Sequence, residues 1–292
     1  MLLSAADGYR AKMLNSSNTL LCVFSFNMGP ALANCLDSAS RHFPDFDIAL
    51  VDDQSSDPGT LAVLVDWRAR VQYYHESTEP KAGKTHGNLY GNIQRMADLA
   101  LAEGYRFLFL IQDDTQFVRP FSPDLQAQYG ALFHHDHVLQ IDPRFHRKMG
   151  PIDILPEMNG YAFPEGDYRR SYADVGILDL YKIRDLGWRF LEGEPENKKA
   201  LTALGMLRVF PFSPMMMHVP FPQVYRGGRR KRAWSFLRRG TYGYADLTPA
   251  EIERLDSRPL SHAPYFREFL RPSGLGLAQL PYRRWKERRI FS

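Results

Sequence analysis

An α/β fold with a doubly wound, mostly parallel central sheet flanked by helices is the architecture this sequence predicts, and three observations predict it. Short apolar runs alternate with segments of helical periodicity from residue 19 to residue 120, the pattern of β-α-β units. The run FLFLI at 107–111 is apolar at every position, as a strand buried on both faces is. Clusters of Gly, Pro, Ser and Asn or Asp follow the first two runs, so the chain turns at those strand ends. A length of 292 residues allows one large domain with appendages. We divide the chain into a lead-in at 1–18, two halves of one domain at 19–120 and 121–225, and a basic C-terminal extension at 226–292.

The elements follow in order. Residues 20–24 are a clean β-run, punctuated by Ser25, Asn27 and Gly29-Pro30, and the chain turns there into a helix. That helix carries Leu32, Cys35 and Leu36 on one face, with Ala33 and Ala39 small enough to pack on a sheet. A second strand at 46–51 runs into DDQSSDPGT, where Asp57 or Thr60 can cap the helix at 61–68. A third strand at 71–75 precedes EPKAGKTHG, a polar loop with two lysines and a histidine. An amphipathic helix at 88–103 places Ile93, Met96, Ala97 and Ala100 on one face, and the apolar strand comes next. Because β-α-β crossovers are right-handed, the loops after these strands share one edge, where ligands of open α/β sheets collect. That edge gathers Asn27, Asp53, the region of Lys84, and Asp113-Asp114. Two adjacent carboxylates at a strand end are costly unless a positive group sits beside them, and a divalent cation carrying phosphates meets that need.

The second half is less regular. Residues 124–133 read as a helix. FHHDHVLQIDPRFHRK, with His134, His135, His137 and His146, matches no zinc spacing and reads as a surface turn and strand edge. The aromatic, glycine-bearing stretch 161–174 reads as a mobile acceptor loop. An acidic turn, EGEPEN, leads into a helix at 198–204, then Gly205, a strand at 206–212 and His218. Glu194 in that turn fits either a functional carboxylate or a charge favouring the helix N-terminus.

SFNMGPALANCLDS and FDIALVDDQSSDPGT resemble the opening of the family 2 glycosyltransferases of the GT-A fold. There a strand ending in Ser/Thr-x-Asn leads into a helix, and a second strand ends in V-D-D-x-S-x-D-x-T. The family continues with a helix containing an Asn, as Asn92 here, and a hydrophobic strand ending in an acidic metal motif, as QDDT here. The resemblance covers residues 19–120 and extends more weakly to 218. It implies a hexosyltransferase-type, polysaccharide-building enzyme. Such an enzyme moves a sugar from a nucleoside diphosphate sugar, UDP-sugar favoured, to a saccharide or lipid-linked acceptor hydroxyl, with inversion and with Mn²⁺ or Mg²⁺. It assigns Asp53 to the base or ribose, the backbone of Ser25 to Asn27 to the base, and Lys84 and His86 to phosphate or base. Asp114 would hold the metal, Asp113 would lie nearer the ribose or reach the ion through water, and His218 would add a metal ligand. Glu194 would be the general base, with Asp174 next in line. Gln112 departs from the aspartate many members have at that position, and Glu194 replaces the more usual aspartate.

A nucleotidyltransferase would place a Gly-rich basic loop after the first strand, and SFNMGPALAN has one glycine and no Lys or Arg. A catalytically inactive nucleotide-sugar binder or scaffold is the other alternative. From residue 226 onward 16 Lys and Arg face 6 Asp and Glu, so the net +4 of the chain splits into +10 there and −6 before it. A basic tail on an acidic body points to an anionic partner. YRGGRRKRAWSFLRRGTYGY fits a lid over pyrophosphate or contact with anionic lipid, and LPYRRWKERRIFS fits an interfacial element at the inner face of a membrane. No nucleic-acid-binding module is recognisable, so no nucleic-acid partner is expected. No stretch of 18 apolar residues occurs, the N-terminus lacks a signal-peptide pattern, and Cys22 and Cys35 read as buried thiols, which together predict a cytoplasmic protein.

Overall fold

The parallel half of the sheet is built as the β-α alternation requires. In the computed structural model, β1 (Thr19–Ser25), β2 (Ile48–Asp52), β3 (Tyr73–Glu76) and β4 (Phe107–Gln112) run parallel in the order β3-β2-β1-β4. The connecting helices are α1 (Gly29–His42), α2 (Pro58–Trp67) and α3 (Leu89–Ala102). The structure describes residues 14–78, 88–147, 150–219, 243–271 and 273, and the backbone of 225–226 and 229–230. Alternate residues of each strand enter opposite cores. Leu21, Val23, Phe107, Phe109 and Ile111 pack with Leu32, Leu36 and Leu64 of α1 and α2. Leu20, Cys22, Leu108 and Leu110 pack with Ile93, Met96 and Ala97 of α3. With helices on both faces, the sheet is doubly wound, and it reverses winding between β1 and β4.

Five of the next seven strands extend the same sheet and mix its directions, and the other two pair apart from it. The seven are β5 (Thr115–Phe117), β6 (Val138–Ile141), β7 (Asp153–Leu155), β8 (Gly160–Ala162), β9 (Gly176–Asp179), β10 (Leu207–Pro211) and β11 (Met216–His218), with helices α4 (Pro123–Leu132), α5 (Leu180–Asp185) and α6 (Glu194–Ala203) between them. Beyond β4 the order is β9-β6-β10-β8-β7, while β5 and β11 pair with each other. β9 lies antiparallel between β4 and β6. The segment around 138–141 is therefore an interior strand, buried at all four positions, and not a strand edge; only the histidine cluster before it is a turn. Its position was hidden because β6 borders β9 and β10, both distant in sequence.

The stretch 161–174 also differs from its reading as a mobile loop. Tyr161 and Tyr172 are fully buried, and the Tyr161 hydroxyl donates to the Leu260 carbonyl at 2.9 Å. These aromatic rings serve packing rather than an open saccharide face. The extension from 226 divides as well. Residues 243–271, with helices α7 (Pro249–Asp256) and α8 (Phe266–Phe269), dock on the β5-β11 pair through Val118, Phe145, Met217, Leu247, Leu255 and Phe269. Arg119 clasps Asp256 with two bonds of 2.8 and 2.6 Å. The lid and amphipathic-tail readings fall on residues outside those described. No helix among the described residues is long and apolar enough to cross a membrane.

Gly176 shows how tightly β9 is inserted. Its φ is +129°, and a Cβ there would lie 2.5 Å from the Ile141 carbonyl oxygen. Gly176→Ala is expected to destabilise the chain by about 1–3 kcal/mol or more, because the strained φ and the backbone clash act together. Thermal denaturation measures it, and an unchanged melting temperature would show that β9 is not held this way.

Candidate active site

The carboxyl ends of β1, β2, β4 and β6 lie on one edge, and antiparallel β9 begins there. The winding reversal between β1 and β4 opens a crevice at that edge, the usual ligand position of such sheets. Its first wall is a single hydrogen-bonded unit made of the loops after β1 and β2. Asn27 takes a left-handed φ of 58°. Its amide oxygen accepts from the Ser56 and Asp57 backbones at 2.7 and 2.9 Å, and its own N–H reaches Ser55 Oγ at 3.0 Å. Asp52 accepts from the Ser55 backbone at 2.7 Å. Asp57 caps α2 through Thr60, whose hydroxyl accepts from the Gly29 N–H at 2.8 Å. A Cβ on Gly29 would lie 2.5 Å from Gly59, so the two helix starts meet only because that position is glycine.

The two motifs behind the family resemblance thus build each other. Asn27 spends its side-chain oxygen on this loop, where the sequence placed it beside a base. Asn27→Ala is expected to cost about 2–3 kcal/mol, from two lost buried bonds plus the left-handed conformation. Asn27→Gly should cost less, since it relieves the backbone strain, and equal melting temperatures for the two variants would refute that account. Asp53 is buried at the end of β2, with Oδ2 accepting from the Asn88 N–H at the start of α3 at 3.0 Å. Ser25 ends β1 with a buried hydroxyl that has no hydrogen-bond partner among the described residues. Asn92 is buried on α3. Lys84 and His86 lie outside the described residues.

Asp113 and Asp114 point to different environments, as neighbours in extended chain should. Asp113 turns inward and accepts from the Phe26 N–H at 2.8 Å. Burial pushes its carboxyl well above the usual range, and the charge of Asp114 adds to the effect. Asp114 faces His218, with Oδ1 3.0 Å from Nδ1. Burial raises the Asp114 carboxyl, but the His218 hydrogen bond and the charges of His218, Arg147 and Arg144 outweigh it and hold it below the usual range. The β5-β11 ladder makes this contact, since it pairs His218 with Thr115 and the Val219 N–H with the Asp114 carbonyl at 2.7 Å.

His218 continues into residues the sequence did not single out. Its Nε2 lies 2.7 Å from Arg144 Nη1. A guanidinium only donates, so Nε2 accepts and the ring hydrogen sits on Nδ1, directed at Asp114. Arg144 is anchored by the fully buried Asp142, at 2.7 Å from Nε and 2.5 Å from Nη2. Asp142 is shared with Arg208 at 3.3 Å. The only local signal was the D-P-R triplet after β6, which alone reads as an exposed turn.

Asp174 and Glu194 complete the cluster. Gln112 donates its amide to the Asp174 backbone carbonyl at 3.1 Å, so an amide at the departing position has a use that a carboxylate would reverse. Burial raises the Asp174 carboxyl, and Glu194 raises it further against the opposing charges of Arg144, His218 and Lys198. Glu194 opens α6 and pairs with Lys198 at 2.7 Å, so it serves the helix start as well as facing the cavity. His218, Arg144 and Glu194 therefore line one cavity, Asp114 is joined to it through His218, and the charges of Glu194, Arg144 and His218 act on Asp174.

Among the described residues no group of three or more His, Cys, Asp or Glu could by itself hold a metal. Asp114 with His218 nevertheless fits two positions of a hexacoordinate ion whose other ligands are phosphate oxygens and water. To ligate through Nδ1, His218 has to move its hydrogen to Nε2 and give up the Arg144 contact. Asp113 turns away from this pair.

No family model matches the chain, and no curated protein sequence matches it. Solved structures with a similar fold include S. aureus TarS 1–349 (TM-score 0.45, 14% identity, 68% of this chain and 59% of that chain). The same protein in complex with UDP gives a TM-score of 0.48 at 13% identity, over 68% of this chain and 59% of that one. Mannosyltransferase PcManGT from Pyrobaculum calidifontis, in complex with GDP-Man and Mn²⁺, gives 0.48 at 14% identity, over 75% of this chain and 64% of that one. The chain spans less than two thirds of the length of each.

Proposed function

We propose that the chain is a GT-A-type glycosyltransferase that moves a sugar from a nucleoside diphosphate sugar to an acceptor hydroxyl. The observation that carries this reading is that His218, bonded to Asp114 just after β4, and Glu194, whose charge acts on Asp174, line one cavity. The first pair suits the diphosphate side and the second the acceptor side. Asp53 and the backbone after Ser25 flank the nucleoside. Asp114 and His218 would hold Mn²⁺ or Mg²⁺, which supplies charge neutralisation for the leaving diphosphate when bound. Glu194 faces the cavity and takes the proton from the acceptor hydroxyl. Asp174, whose carboxyl is raised by burial and by the charge of Glu194, is the next candidate for that role. Arg144, fixed by Asp142, is placed to donate to an oxyanion as soon as His218 releases it. Displacement opposite the leaving group would invert the sugar.

UDP-sugars are the favoured donors, and a saccharide or lipid-linked hydroxyl is the acceptor class. Thermal stabilisation by UDP, GDP and TDP, each with Mn²⁺ and with EDTA, tests the binding half. Slow hydrolysis of a panel of nucleoside diphosphate sugars tests the chemistry. We expect at least one nucleotide to stabilise the chain with Mn²⁺, and a flat response to all three would sink the reading.

A further inference from the structure

Beside Glu194 the site opens into a cavity of about 230 Å³ whose charges do not balance. Arg144, Arg147, Arg169, Lys198 and Arg208 line it, with Glu194 as the one carboxylate on the wall among the described residues. Asp142 is shared by Arg144 and Arg208, Asp167 pairs with Arg169, and the charge of Asp174 acts on Arg144 and Arg208. Among the described residues five cations therefore meet four carboxylates, which leaves one positive charge in surplus. Asp114, beyond His218, belongs to the diphosphate side.

Arg208 makes the surplus costly. Its side chain is only 4% exposed, and its Nε has no hydrogen-bond partner among the described residues. One Nη is spent on the Arg169 carbonyl at 2.7 Å. Burial pushes the guanidinium down to about 10, with Asp142 offsetting only part, so it remains charged at neutral pH. His146 Nε2, on the same wall, is also buried without a partner among the described residues. A buried donor such as Arg208 Nε is stabilised when an acceptor reaches it. Phe163 and Phe210, which also line the cavity, lie under Arg208 at 5.4 and 5.1 Å.

Resting on the glycosyl-transfer reading, we propose that the acceptor carries a phosphate group, and that this cavity binds that phosphate so that the neighbouring hydroxyl faces Glu194. Guanidinium forks match phosphate oxygens in geometry as well as charge. The cavity is smaller than the roughly 300–1,000 Å³ of pockets for drug-sized ligands. It suits one charged group and an adjoining ring, with the rest of the acceptor outside.

The test uses the full chain saturated with UDP and Mn²⁺, so that the diphosphate position is filled. Methyl phosphate, methyl glucuronide and methanol are titrated by calorimetry. We expect methyl phosphate to bind on top of UDP, methyl glucuronide more weakly and methanol not at all. Arg147→Ala and Arg169→Ala should each weaken methyl phosphate roughly tenfold or more, as loss of a charge-assisted bond does, without weakening UDP. Arg208→Gln should abolish it; if that variant does not fold, the other two still decide. If UDP binds and methyl phosphate does not, or binds the two Arg→Ala variants as tightly as the parent, the phosphate proposal is overturned while glycosyl transfer stands. Tighter binding of methyl glucuronide also overturns it. If UDP fails to bind, the titrations use whichever of GDP and TDP binds with Mn²⁺; if none of the three binds with Mn²⁺ or Mg²⁺, the glycosyl-transfer reading falls and takes this proposal with it.

Discussion

Replacing Glu194 by glutamine is expected to lower kcat by about 10²–10⁴-fold, the usual contribution of a positioned general base. Stabilisation by UDP with Mn²⁺ should be unchanged, because Glu194 lines the acceptor cavity and not the Asp114 side. Stability should hardly move. The Glu194–Lys198 pair spans one helical turn and Glu194 is 35% exposed, and such pairs contribute only about 0.3–0.5 kcal/mol. Asp174→Asn supplies the contrast. It keeps the Gln112 bond, which goes to the Asp174 backbone, and removes only the carboxylate. With Glu194 as base, Asp174→Asn should reduce turnover less than Glu194→Gln does. The reverse order, measured with saturating donor and acceptor, would transfer the role of base to Asp174.

Asp114→Ala should uncouple nucleotide binding from the metal. In the parent chain, UDP at 100 times its Kd with Mn²⁺ stabilises by about 2.7 kcal/mol. At about 2 °C or more per kcal/mol for a chain of this size, the melting temperature should rise by roughly 5 °C. In the variant the UDP shift should be the same with Mn²⁺ as with EDTA. The sign of what remains is informative. Losing Asp114 leaves His218 and Arg144 facing the diphosphate without that carboxylate, so some metal-free affinity for UDP should persist. A Mn²⁺-dependent shift that survives in Asp114→Ala would mean that the cation is held elsewhere.

Much of the wall on the nucleotide side was readable residue by residue. Leu20 to Phe24, Phe46 to Val51 and Phe107 to Ile111 read as strands by composition, and Asp52-Asp53 and Asp113-Asp114 fall where the last two end. Asp57 or Thr60 reads as a helix cap, and Asp57 is the cap. Even the divergence of Asp113 from Asp114 follows from the two-residue repeat of extended chain. These features are local, so neighbouring residues suffice to specify them. What neighbours did not reveal is the use made of each group. Asn27 reads as a residue whose backbone flanks the base, and its side chain ties two loops together, because the loops after β1 and β2 meet only when the strands pair.

The rest of the site was written in long-range pairings. Asp114 and His218 are 104 residues apart and meet because β11 pairs with β5. Asp174 reaches the site because β9 inserts between β4 and β6, which Gly176 alone permits at that approach. Arg144 and Arg208 look like solvated cations in sequence, and they become buried only because β6 and β10 are neighbours and share Asp142. By itself the sequence determined an α/β sheet with carboxylates at its strand ends, since periodicity and turn chemistry act over a few residues. The tertiary structure alone decided which of those carboxylates face one another and which cations join them. Strand register and burial are set by contacts between distant segments, and burial is what turns an ordinary Arg or Asp into a group that needs a partner.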